Sequence, residues 1–139
     1  MANHRTFTDV WLFFEAWVFL ALARILLVFF PFRKILPLLG RTVANQEDIL
    51  PNKNEFFSIQ LAIKRARRFS YWRTMCFEQA LCAKFMLSVR KRKSTLYLGV
   101  RRDPDTREFQ AHAWLICNRE IVTGGGEAPH FKVHSRFYG

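Results

Sequence analysis

Residues Val10 to Phe30 read VWLFFEAWVFLALARILLVFF, an apolar run interrupted only by Glu15 and Arg24. A run of that length has to hide its surface in a core, against a partner or in lipid. Fourteen of its residues are Val, Leu, Ile or Phe. They are worth roughly −4 to −8 kcal/mol on an insertion scale where each central charge costs about +2.5 to +3.5 kcal/mol. The sum is near balance, so hydropathy leaves the destination open. Glu15 and Arg24 stand nine positions apart, on opposite sides of a helix. That spacing argues against an ion pair between them in lipid and against a single polar stripe. A helix docked on the rest of the chain or on a partner is the first expectation, a membrane-surface helix the second and a span the third. Arg33, Lys34 and Arg41 follow the run; if it spanned, they would leave the remainder in the cytoplasm. Pro31 and Pro37 are expected to break the helix, and Gly40 to turn the chain. Residues 1–45 thus read as an apolar helical segment with its linker, and residues 46–139 as the main domain. The polar stretch ANQEDILPNKN at 44–54 connects the two.

A chain of 139 residues has room for one domain with an appendage. Half of it is hydrophobic, including 15 Phe, which excludes global disorder. Lys and Arg number 22 against 11 acids, for a net charge of +11. From Lys64 to Arg102 there are 12 basic residues and one acid, Glu78. Such a surface attracts acidic peptides, phosphates or anionic lipid, and it also keeps a Phe-rich protein in solution. No RNP-type aromatic motif, zinc-finger spacing or helix-turn-helix pattern is present, so nucleic acid is not an expected partner. The cysteines are three, Cys76, Cys82 and Cys117, with no C-x-x-C pair and no cleavable signal peptide. A reducing cytoplasm is the expected compartment, with contact to a membrane surface through residues 10–30 as an added expectation.

Phe56 to Phe69 places Phe56, Ile59, Ile63 and Ala66 on one side and Lys64, Arg65, Arg67 and Arg68 mostly on the other, an amphipathic helix. After the link Ser70-Tyr71-Trp72, Thr74 is placed to cap a helix running from Met75 to about Val89. Its apolar residues, Phe77, Leu81, Cys82, Phe85, Met86 and Val89, cover most of the circumference, which predicts a central, buried helix. Cys76 lies in the first turn, near unpaired N–H groups and the positive end of the helix dipole, with Arg73 nearby. Both effects favour thiolate over thiol. A buried structural thiol is the other reading of a lone Cys there. Cys82, mid-helix among apolar neighbours, reads as an inert small hydrophobe.

Thr95 to Arg101 reads as a strand and Asp103-Pro104-Asp105 as a turn. Glu108 to Cys117 alternates, with Phe109, Ala111, Ala113, Leu115 and Cys117 on one side. Gln110, His112, Trp114 and Ile116 lie on the other. Asn118-Arg119 suits a hairpin turn, Glu120 to Thr123 returns, and FKVHSRFY adds a further strand. Helices first and an antiparallel sheet afterwards make an α+β arrangement. A mid-strand histidine can be a satisfied core residue. A helix-opening Cys with a sheet-borne His is also what cysteine acyl transfer requires: the imidazole takes the thiol proton and later protonates the leaving amine. Trp114 shares the face of His112, as a shield for the imidazole or as core. His130 and His134 are four apart in a strand-like tail without zinc-finger cysteine spacing, so neither a metal site nor a cofactor is expected.

Residues 62–125 resemble the transglutaminase-like peptidase domain of lasso-peptide maturation proteins, the bacterial microcin-processing, leader-cleaving family. The shared features are Cys76 opening a helix, the helix end Ser88-to-Lys93 rich in basic residues, Gly99-Val100 on a strand, and Ala111-His112-Ala113-Trp114. The apolar segment followed by Pro-Phe-Arg-Lys is similar to what precedes that domain. The resemblance implies a papain-like core in which a Cys-bearing helix packs on a small antiparallel sheet. It implies a cysteine peptidase with Cys76 as nucleophile and His112 as general base and acid, needing no cofactor. The family's third residue, an Asp, has no match. A two-residue turn at Asn118-Arg119 sets position 112 opposite position 125, where the chain reads Thr-Gly-Gly. The Thr123 hydroxyl, a backbone carbonyl or Glu127 reaching back are the groups left to orient the imidazole. The N–H of Cys76 is the natural first oxyanion donor, and Trp72 or Gln79 is the candidate for the second. The implied partners are a precursor peptide, a separate leader-recognition protein and an ATP-dependent cyclase. A non-catalytic peptide-binding or membrane-associated scaffold of the same fold is the alternative.

Overall fold

The computed structural model describes residues 2–44, 49, 54–70, 76–126 and 128–139. Among the described residues, four α-helices and a five-stranded antiparallel sheet share one core. The helices are α1 (Ala2–Phe29), α2 (Phe32–Leu39), α3 (Phe57–Arg68) and α4 (Cys76–Val89). The strands are β1 (Arg41–Thr42), β2 (Thr95–Arg102), β3 (Phe109–Cys117), β4 (Glu120–Thr123) and β5 (Lys132–Tyr138), in the order β1-β5-β2-β3-β4. The expected α+β class holds. The predicted cap Thr74, the start Met75 and the link Tyr71-Trp72 lie outside the described residues, as does most of the 44–54 connection.

α1 explains its own awkward charges. Leu12, Ala16, Leu20 and Ala23 are buried against the core that α3 and α4 share. At 100° per residue, Glu15 and Arg24 each stand roughly 90° from the centre of that stripe, one on either flank. Arg24 lies 3.5 Å from Glu78 of α4, and Glu15 is paired to Arg90 just past its end. The first expectation, a helix docked on the rest of the chain, is what the structure contains. The two pairings also fix α1 and α4 as antiparallel.

α3 buries Ile59, Ala62, Ile63 and Ala66, the expected face. Its start is held from the sheet: the buried Glu120 carboxylate accepts the Glu55 N–H at 2.8 Å and the Phe56 N–H at 3.2 Å. These are donors that the beginning of a helix leaves unpaired. α4 is central, as expected, but its last residue, Val89, is exposed. The helix ends there. Cys82 is the inert thiol expected: it is buried, donates to the Ala16 carbonyl at 3.3 Å, and burial pushes its pKa up. Pro37 departs from expectation, since it sits inside α2 rather than ending it. The carbonyl that loses its partner belongs to the exposed Arg33, and buried Ile35 and Leu39 hold the turn.

Lys84 is the least expected buried residue of α4. Its ammonium donates to the Ser94 carbonyl at 2.7 Å, the Ser94 hydroxyl at 3.1 Å and the Gly139 carbonyl at 3.2 Å. All three donors are therefore used, tying α4 to the start of β2 and the end of β5. Burial still lowers its pKa from 10.5 to about 8. Between those values the unfolded chain keeps the proton and the folded chain releases it, so stability should rise with pH across this window. Denaturant midpoints taken from pH 7.5 to 10 should show this slope, of order 1 kcal/mol per pH unit. The slope should vanish in Lys84→Met.

β3 alternates as read. Ala113, Leu115 and Cys117 face the helices, and Trp114 and Ile116 join Tyr97 on the opposite face. Asn118 and Arg119 take positive φ, 49° and 64°, the hairpin turn expected. The register beyond it differs from expectation. Cys117 pairs with Glu120 and Ile116 with Ile121, but Leu115 pairs with Thr123. Val122 is thus an extra residue, a bulge that slips the ladder by one. Position 112 consequently has no ladder partner on β4.

Candidate active site

Gly99 sets the geometry around His112. It is the cross-strand partner of His112, and a Cβ there would come 2.8 Å from the Trp114 ring and 2.9 Å from Phe131 Cβ. Only a glycine lets the Trp114 indole lie flat over β2. Trp114 then stacks on Tyr97 at 5.6 Å and on His112 at 5.7 Å, and Phe131 closes on the imidazole at 5.1 Å. His112 is buried between these rings. Trp114 is therefore both core and shield, because the ring that fills the outer layer also excludes water from the imidazole.

The imidazole has one polar anchor. His112 Nε2 lies 2.9 Å from the Gly124 carbonyl oxygen. A carbonyl only accepts, so Nε2 carries the proton in the neutral ring and Nδ1 keeps its lone pair. Gly124 has φ +76°, which turns the chain off the end of β4 and aims this carbonyl. Of the three groups expected to orient the ring, a backbone carbonyl is the one bonded to it. The Thr123 hydroxyl is buried and makes no hydrogen bond among the described residues. Glu127 lies outside them. The glycine run Gly124 to Gly126 was the available sequence signal. It marks a place where the chain can leave a ladder with positive φ.

Cys76 opens α4, half-buried, and packs on the helix-facing core together with Leu98. The first-turn N–H groups and the dipole act on its sulfur. Arg73 and Trp72, expected nearby, lie outside the described residues. α4 and β2 are joined by a short turn. Running back along α4 from Val89 covers roughly 20 Å at 1.5 Å per residue. The same distance along β2 at about 3.3 Å per residue reaches Val100 or Arg101, one or two rungs from the Gly99–His112 pair. What Cys76 and His112 share is this level. By strand alternation they lean on different faces of β3, with the imidazole among Trp114 and Phe131 and the thiol on the side of Ala113 and Leu115. At this level the helix side of β3 carries Ala111, which is exposed, and β4 has already ended at Thr123.

On the His112 face a cavity of about 280 Å³ is lined by Tyr97, Trp114, Ile116, Ile121, Phe131 and Val133 among others. Arg101 lies over the Phe131 ring at 5.2 Å and bonds Gln110 at 2.7 Å, and Gln110 in turn bonds Asp103 at 3.1 Å. Among the described residues no group of three metal-ligating side chains is present. A family model described as the transglutaminase-like superfamily matches residues 18–136. No curated protein and no solved structure matches the chain.

Proposed function

Given that the chain belongs to the transglutaminase-like superfamily, whose members commonly carry cysteine peptidase or acyl-transfer activity, we propose that it is a cysteine peptidase removing the leader from a ribosomally made precursor peptide. Cys76 is the nucleophile and His112 the general base and acid. The observation that carries this reading is the Nε2–H bond from His112 to the Gly124 carbonyl. It holds the imidazole in the tautomer whose Nδ1 accepts a proton, at the level where α4 begins with a cysteine.

The chemistry runs in two halves. Nδ1 takes the Cys76 proton as the sulfur attacks the scissile carbonyl carbon. The oxyanion is met by the N–H of Cys76 at the helix start. The C–N bond breaks, the imidazolium gives its proton to the leaving amine, and a thioester remains on Cys76. Water, deprotonated by the same imidazole, releases the acid and restores the thiol. This reading requires Cys76 and His112, which lean on different faces of β3, to come together past the last β3–β4 rung, beside the small Ala111. A carbonyl orients the ring as a carboxylate would but carries no full charge, so it stabilises the imidazolium less. A slower enzyme follows.

The cytoplasmic setting, the separate leader-recognition protein and the ATP-dependent cyclase belong to the same proposal. They rest on the resemblance of residues 62–125 to the lasso-peptide leader peptidases. Incubating the protein with precursor and recognition protein should yield the cleaved leader by mass spectrometry, and Cys76→Ala should yield none. Cleavage by Cys76→Ala would remove the nucleophile from the account. The carbonyl in place of a carboxylate also favours a second reading, a peptide-binding scaffold of the same fold. Precursor bound tightly and never cut would support it.

A further inference from the structure

α1 has two apolar faces, and the fold uses one. The inward stripe is Leu12, Ala16, Leu20 and Ala23. The outward stripe, Trp11, Phe14, Val18, Leu22, Ile25 and Phe29, repeats at three and four residues and holds no charge. It is open to solvent, with Trp11 64%, Val18 54%, Ile25 50% and Phe29 75% exposed. The segment's two charges, Glu15 and Arg24, are turned to α4. Beside this ridge α3 exposes Lys64, Arg65, Arg67 and Arg68. The two helices are fastened there: Phe69 meets the Phe13 ring at 5.8 Å, and Trp17 Nε1–H donates to the Phe69 carbonyl at 3.3 Å. Arg33 and Lys34, also exposed, stand just past the end of the ridge. Asp9, 3.9 Å from Arg65, is the acid paired with this row.

We infer that this face is a docking surface for a membrane rich in anionic lipid, with α1 lying in the plane of the headgroups. An uncharged ridge flanked by a basic row is what such an interface takes up at once: the apolar stripe enters the acyl boundary, and the long basic stems carry their charges to the phosphates. A span is disfavoured by the docking of α1. It would strip Glu15 and Arg24 of their partners and pull Leu12, Ala16, Leu20 and Ala23 from the core. A second copy is disfavoured by charge. Each chain carries +11, and pairing the ridges would bring two basic α3 rows together. The inference is independent of the peptidase reading, and its test uses no substrate.

Full-length protein is sedimented with vesicles of phosphatidylcholine alone or mixed with phosphatidylglycerol. Binding is expected to the mixed vesicles, to weaken with salt, and to be released by alkaline carbonate. Val18→Gln with Ile25→Gln should lower the bound fraction about tenfold or more. Lys64→Gln with Arg68→Gln should weaken binding and flatten its salt dependence. These four residues are exposed, so circular dichroism should show each variant folded. Binding unchanged by the Val18 and Ile25 substitutions would overturn the inference, as would protein that resists carbonate extraction. So would a failure to bind vesicles together with a dimer that the same substitutions dissolve.

Discussion

Replacing His112 by glutamine is expected to lower kcat for leader removal by about 10⁴-fold or more, with KM nearly unchanged. The glutamine amide is close in size to imidazole and can still donate to the Gly124 carbonyl, which His112 Nε2 approaches at 2.9 Å. The packing between Trp114 and Phe131 is then largely kept, and what disappears is the Nδ1 lone pair. A residue that only fills the outer layer would affect stability and leave turnover alone. A residue that moves the proton in both halves of the reaction shows the reverse. Steady-state kinetics beside a thermal melt separates the two, and a glutamine variant with near-normal kcat would exclude His112 as the base.

The second large effect is expected at Gly99. Gly99→Val places a branched side chain where even a Cβ would come 2.8 Å from the Trp114 ring. The indole is pinned by Tyr97 and His112 and cannot shift freely. The cost should be about 3 kcal/mol, at the upper end for overpacking. The displaced indole should carry the imidazole off the Gly124 carbonyl, so activity should fall by more than the folded fraction does. Urea denaturation and kinetics on the same preparation read both quantities. A Gly99→Val protein as stable as the parent would mean that the indole does not lie over β2.

Local signals were legible in the sequence. The periodicity of 56–69 gave the buried face of α3, the alternation of 108–117 gave the two faces of β3, and Asn118-Arg119 gave its turn. These depend on residues a few positions apart. Features set by distant partners were not legible. Glu15 and Arg24 looked incompatible with a single environment because their partners lie far along the chain, Glu78 in α4 and Arg90 just past its end. β5 enters the sheet between β1 and β2, a pairing that no local pattern encodes. The bulge at Val122 moved the register by one and left His112 to the Gly124 carbonyl rather than to a side chain. Pro37 stays inside α2 because Ile35 and Leu39 are buried on distant partners, which the local helix-breaking signal of proline does not register.

The central claim is that the imidazole of His112 takes the proton from the thiol of Cys76. Alkylation by iodoacetamide, followed at each cysteine by mass spectrometry, tests it without any substrate. Cys76 should react fastest, while the buried Cys82 and Cys117 stay slow. In His112→Gln the alkylation rate of Cys76 should fall about tenfold or more, because the group that takes its proton is gone. A Cys76 rate identical in the parent and in His112→Gln would contradict the account.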